Sequence, residues 1–114
     1  MRVDSQPMSD AGKFVATIDA ATLPPGRGTT VTIEGREIAV FNVDGRIYAT
    51  DDSCPHSGSS LGWGRLDGNI VTCRSHGLRF DVTTGKMVAS DAWGIETFSA
   101  KIEDGKIWIA IQRS

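Results

Sequence analysis

Cysteine and histidine are scarce in this chain of 114 residues, which has only two of each, all four between positions 54 and 76. They stand as Cys54-Pro55-His56 and Cys73-Arg74-Ser75-His76, two short Cys–His pairs separated by sixteen residues. Thiolate and imidazole together are the donors of zinc, copper and iron sites. Each pair is short enough for both side chains to reach one metal centre. Gly58 follows the first pair and Gly77 the second, and such positions let the backbone bend around a metal with its N–H groups turned inward. Three chemistries compete. A Cys54–Cys73 disulfide beside two incidental histidines requires an oxidising compartment. Tetrahedral zinc accepts two Cys and two His, but its common spacing sets the cysteines together and the histidines together. A cluster of two irons and two sulfides, with both thiolates on one iron and both imidazoles on the other, draws one Cys and one His from each of two loops, and this arrangement suits the spacing best.

The elements that must hold these loops read as β-strands. Phe14, Ala16 and Ile18 alternate, Val31 and Ile33 lead into Glu34-Gly35, and Ile38, Val40 and Phe41 run into Val43. Asp44-Gly45, Asp67-Gly68 and Asp104-Gly105 are each flanked by strand formers, and Asp-Gly favours tight hairpins because both residues tolerate positive φ. Pro24, Pro25, Gly26 and Gly28 mark a turn after the first strand. No apolar pattern of helical period extends over a dozen positions, and the 13 glycines interrupt every candidate window. The expectation is an all-β antiparallel sandwich or small barrel. Residues 51–67, rich in Gly and Ser, form the one long stretch without strand pattern, and a loop of that length is usually functional.

Composition narrows the function classes. The length fits one domain, read as residues 13–114 after a flexible N-terminus at 1–12. A net charge of −2 argues against nucleic acid, which needs a concentrated basic face. No apolar run reaches the roughly 20 residues that span a bilayer, and residues 1–13 lack the apolar core of a signal peptide. The expectation is a cytoplasmic, monomeric protein with no membrane association.

The segment CPHSGSSLGWGRLDGNIVTCRSHGLRFDVTTGKMV resembles the cluster-binding segment of Rieske-type ferredoxins, the small electron carriers of bacterial ring-hydroxylating oxygenase systems. Beyond the four candidate ligands, Gly58, Leu61 and Gly64 match after the first pair, and Gly77, Phe80, Asp81, Thr84 and Gly85 after the second. The resemblance covers about residues 14–111, with a cluster-binding subdomain of two loops at about 51–86. It implies one [2Fe-2S] cluster per chain, held by Cys54 and Cys73 on the inner iron and by His56 and His76 on the outer, with Leu61 as an apolar lid. The partners implied are a flavin-containing, NAD(P)H-dependent reductase and a terminal oxygenase. The small subunit of assimilatory nitrite reductases shares the fold and is the alternative. Arg74 stands where the family commonly has Pro. The respiratory Rieske proteins differ further, with a disulfide between the loops and with Ser and Tyr at the positions held here by Leu78 and Phe80.

Two thiolates cancel the charge of an oxidised two-iron, two-sulfide core, so one added electron leaves a single negative charge, and imidazole ligation raises the potential. Leu78 and Phe80 have no hydroxyl to donate to the cluster sulfurs, which sets the expected potential at the low end of the range, about −150 mV. No G-x-G-x-x-G follows a strand, and both histidines are already assigned, leaving none for a 2-His-1-carboxylate site. The chain is therefore expected to carry electrons without catalysing a reaction itself. Arg65, Arg74 and Arg79 could steer an acidic partner, partly offset by Asp51 and Asp52. Trp63 suits either docking or loop packing, while Trp93 and Trp108 read as core or sheet-surface residues.

Overall fold

Residues 38–41 read Ile-Ala-Val-Phe, four apolar side chains in succession. In an extended chain successive side chains point to opposite faces, so such a run must be covered on both sides. The computed structural model describes residues 14–53, 60–74, 77–88 and 94–111, and in it this run lies within a strand with apolar layers on both faces. Ile38 and Val40 enter one buried cluster, with Val31, Ile33, Ala49, Phe98, Ile107 and Ile109. Ala39 and Phe41 enter a second, with Leu61, Val71, Cys73, Phe80 and Val82.

Nine strands make up the described fold: β1 (Phe14–Asp19), β2 (Gly28–Ile33), β3 (Arg36–Val43), β4 (Arg46–Asp51), β5 (Arg65–Asp67), β6 (Ile70–Thr72), β7 (Arg79–Asp81), β8 (Thr97–Glu103) and β9 (Lys106–Ala110). The larger sheet has the order β1-β9-β8-β4-β3-β2 and the smaller β5-β6-β7. Every pairing is antiparallel. The only helical pieces among the described residues are two 3-10 turns, Ala20–Thr22 and Leu61–Trp63, and no helix there is long and apolar enough to cross a membrane.

Local chemistry accounts for the connections. Glu34-Gly35, Asp44-Gly45 and Asp104-Gly105 all have positive φ at both residues, the signature of a type I′ hairpin turn. Asp67-Gly68 differs. Asp67 pairs with Ile70 inside the ladder, so Gly68 and Asn69 form the bend, with positive φ at Gly68 and not at Asn69, as in a type II′ turn. Pro25 precedes Gly26 at φ 86°, and the Arg27 amide donates to the Pro24 carbonyl at 3.2 Å, a type II arrangement. Within the stretch read as unpatterned, the Leu61–Trp63 turn and β5 supply regular structure. At the other end of the chain, Phe14 is 37% exposed, with Lys101 Nζ 4.4 Å from its ring centre.

Candidate metal centre

Cys73 follows β6 immediately and is 1% exposed. Its amide donates to the Leu78 carbonyl at 2.7 Å, and its carbonyl accepts the Gly77 amide at 3.0 Å. The chain therefore reverses tightly between 73 and 78. Gly77 has φ +72°, a conformation that L side chains rarely adopt, which explains the glycine after the second pair. Three strands position this turn: β6 delivers Cys73, β7 leads away from Leu78, and the β5–β6 register sets Arg65 opposite Thr72. Cys54, His56, Gly58, His76 and Trp93 lie outside the described residues. The structure thus gives the setting of one of the four candidate ligands and of the supporting residues Leu61 and Gly77.

That setting suits an iron–sulfur cluster. Cys73 shares its apolar cluster with the fully buried Leu61, Phe80 and Val71. A thiolate in such surroundings is strongly disfavoured unless a cation binds it. Leu78 and Phe80 line this region with hydrocarbon, as their types imply, and bring no hydroxyl to it.

Two segments bracket residues 54–59. On the N-terminal side, Ser53 forms an isolated antiparallel bridge with Ser60. On the C-terminal side, the Leu61–Trp63 turn presses Gly62 onto β2, where a Cβ would overlap the Thr30 hydroxyl and the Thr29 carbonyl. Asp52 lies at this junction, 3% exposed, and its Oδ1 accepts the Gly62 amide at 2.8 Å. The carboxyl of Asp52 thus faces inward to neutral donors, and it forms no ion pair with an arginine among the described residues. Asp51 lies 4.0 Å from Arg36, which binds Glu96 at 2.9 Å. Spacing gave no signal for Asp52, Thr30 and Ser60, since their meeting depends on β2 lying beside the loop.

Arg65, Arg74 and Arg79 are exposed. Arg65 and Arg79 flank Thr72 in one cross-strand row, so they share the outer face of the small sheet at its Cys73 end. None of the three forms an ion pair with another described residue. Trp63 is 64% exposed, which fits a contact surface rather than loop packing. Trp108 lies on the sheet surface, its Nε1 donating to the Glu103 carbonyl at 3.1 Å. After β7, Asp81 Oδ1 accepts the Thr83 amide at 2.9 Å and the Thr83 hydroxyl at 2.6 Å. Partial burial pushes this carboxyl up, but the bonds from Thr83, Asn69 and Thr84 together outweigh it and hold Asp81 below the ordinary aspartate range. Gly85, at φ +80°, packs where a Cβ would overlap the Ile95 carbonyl.

Comparison with known proteins agrees with this geometry. The Rieske [2Fe-2S] domain matches residues 13–99. The ferredoxin component of the naphthalene 1,2-dioxygenase system of Pseudomonas aeruginosa is 37% identical over 98 residues, covering 85% of this chain and 94% of that protein. Among solved structures, a chain of the complex of reduced oxygenase and oxidized ferredoxin in carbazole 1,9a-dioxygenase superposes with a TM-score of 0.81 at 30% identity, covering 89% of this chain and 95% of that one. The ferredoxin of Sphingomonas yanoikuyae B1 gives a TM-score of 0.76 at 34% identity, over 90% of this chain and all of that one. With the family model matching residues 13–99 and a relative 37% identical over 85% of the chain, this chain belongs to the Rieske [2Fe-2S] domain family.

Proposed function

We propose that this chain is a one-electron carrier, a Rieske ferredoxin that takes electrons from a flavin-containing, NAD(P)H-dependent reductase and delivers them to a terminal oxygenase. The observation that carries the reading is the placement of Cys73, buried and held in a closed turn within the second core, in a chain whose relatives are named as ferredoxin components of dioxygenase systems. A solved complex of a related oxygenase and ferredoxin supports the terminal oxygenase as partner. A nitrite reductase small subunit has weaker support, because the chains so described are 22–23% identical and share the fold alone.

In this reading Cys54 and Cys73 hold one iron, and His56 and His76 the other. The cluster supplies reversible one-electron transfer. The protein's own residues do the rest: the apolar layer of Leu61, Val71 and Phe80 excludes water from the thiolate side, and the 73–78 turn fixes where Cys73 presents its sulfur. The exposed row of Arg65 and Arg79, which forms no ion pair with another described residue, favours an acidic partner face. Residues 13–114 act as one domain with the cluster segment at about 51–86, and the reading places the carrier in the cytoplasm, beside its NAD(P)H-linked donor.

Electron paramagnetic resonance of the purified protein after dithionite reduction tests this. The expected result is a reddish-brown protein whose reduced spectrum has an average g below 2, as imidazole ligation of a mixed-valence pair implies. A colourless protein with stoichiometric zinc and no signal would overturn it.

A further inference from the structure

Electron transfer through the cluster makes no direct use of the polar groups around residue 52, yet they form a dense hydrogen-bonded group beside the first Cys–His pair. Asp52 Oδ1 accepts the Gly62 amide at 2.8 Å, lies 2.9 Å from Ser60 Oγ and lies 3.0 Å from Thr30 Oγ1. The same residue's carbonyl accepts the Leu61 amide at 2.6 Å, and its amide donates to the Glu37 carbonyl at 3.3 Å. Ser53 and Ser60, on the two sides of segment 54–59, are bridged. One residue therefore ties both ends of segment 54–59 together, with side chain and backbone alike, and fastens them to β2 through Thr30 and to β3 through Glu37.

Counting protons gives this cluster a direction. The two hydroxyls also stand 3.1 Å from each other, but each has a single proton to donate. If both donate to Oδ1, the Thr30–Ser60 approach is the convergence of two donors on one acceptor. The Gly62 amide can only donate. All three protons are then directed at residue 52, an arrangement that calls for an acceptor there and that no apolar residue satisfies. Donors that are buried, as at Gly62, or half-buried, as at Thr30 and Ser60, would have to move without that acceptor.

We propose that Asp52 is the positioning residue of the first cluster loop: by tying the flanking residues Ser53 and Ser60–Gly62 to β2 and β3 it anchors the points from which the loop departs and returns, and so governs how firmly the cluster is held. The inference rests on the reading of Cys54 and His56 as ligands.

The test uses the cluster-loaded protein and the variants Asp52→Ala, Asp52→Asn, Thr30→Val and, for comparison, Asp51→Ala. Each is challenged with excess iron chelator while the visible absorbance of the cluster is followed, and the reduced electron paramagnetic resonance spectrum is recorded beside it. Asp52→Ala is expected to lose iron about tenfold faster or more, the scale on which groups that orient metal ligands act, with shifted or broadened g values. Asp52→Asn, which retains an acceptor oxygen, should recover most of the wild-type rate. Thr30→Val should fall between, and Asp51→Ala should match the wild type. Wild-type release and an unchanged spectrum in Asp52→Ala, with only a lower melting temperature, would overturn the proposal. If Asp52→Ala does not accumulate, Thr30→Val decides, and its behaving as wild type in both readouts would overturn it equally. A wild-type protein with no reducible cluster would defeat the electron-carrier reading and this inference together, whereas a normal cluster indifferent to residue 52 defeats only the inference.

Discussion

A single side chain after the second Cys–His pair is expected to tune the reduction potential. Leu78 receives the Cys73 amide on its carbonyl, and its side chain packs in the second core, so its backbone is already at the turn that holds Cys73. A hydroxyl at this position could donate to a cluster sulfur and stabilise the reduced, more negative state. Leu78→Ser should raise the midpoint by about 60 mV, the equivalent of about 1.4 kcal/mol for a one-electron step and of one hydrogen bond to a charged group. Voltammetry of wild type and variant checks this, starting from a wild-type value of about −150 mV. A fall, or no change, would mean that residue 78 lies out of reach of the cluster. Leu78 and Phe80 were legible in the sequence as positions without hydroxyls, and their packing adds that they close the region with hydrocarbon.

Among the elements, the turn after β7 couples proton binding to stability. The Thr83 amide and hydroxyl bind Asp81, whose backbone carbonyl accepts the Gly85 amide at 2.7 Å. Its carboxyl is held below the ordinary value because these hydrogen bonds outweigh partial burial. The folded state thus holds the proton less tightly than the unfolded chain, whose aspartates titrate near about pH 3.9. The stability this contributes is complete above that value and is lost as pH falls through the lower, folded one. Asp81→Asn keeps an acceptor but lacks the charge, so the gap in urea midpoint between wild type and variant should narrow as pH is lowered from about 5 toward 3. Acid loss of the cluster affects both proteins and cancels in the difference. A gap that widens on acidification would contradict the assignment. The identity of Asp81 and Gly85 could be read from the family resemblance, but the approach of Gly85 to the Ile95 carbonyl required the chain to fold back.

For the molecule as a whole, β3 divides the interior in two. Ile38 and Val40 serve the core of the larger sheet, and Ala39 and Phe41 serve the core that contains Cys73. The first core draws on β2, β4, β8 and β9 and, among the described residues, contains none of the candidate ligands; the second contains Cys73. Because metal binding free energy is also folding free energy where ligands are brought together, removing the cluster should loosen the two parts unequally. Amide hydrogen exchange on chelator-treated protein should show lost protection in β5, β6, β7 and the 73–78 turn, while β2, β4, β8 and β9 retain theirs. Equal loss in both would show that the cluster supports the entire fold.

From the sequence alone came the all-β class, the hairpins at Glu34-Gly35, Asp44-Gly45 and Asp104-Gly105, and the pairing of one Cys with one His in each of two loops. These are local properties: φ preference, alternation and spacing act over a few residues and need no tertiary context. Tertiary structure alone decided what the run Ile38–Phe41 divides, that Gly68-Asn69 rather than Asp67-Gly68 forms the bend, and that Asp52 turns inward to Thr30, Ser60 and Gly62. Each of these depends on which segment lies against which across gaps of up to dozens of residues, and sheet packing fixes that where residue order does not.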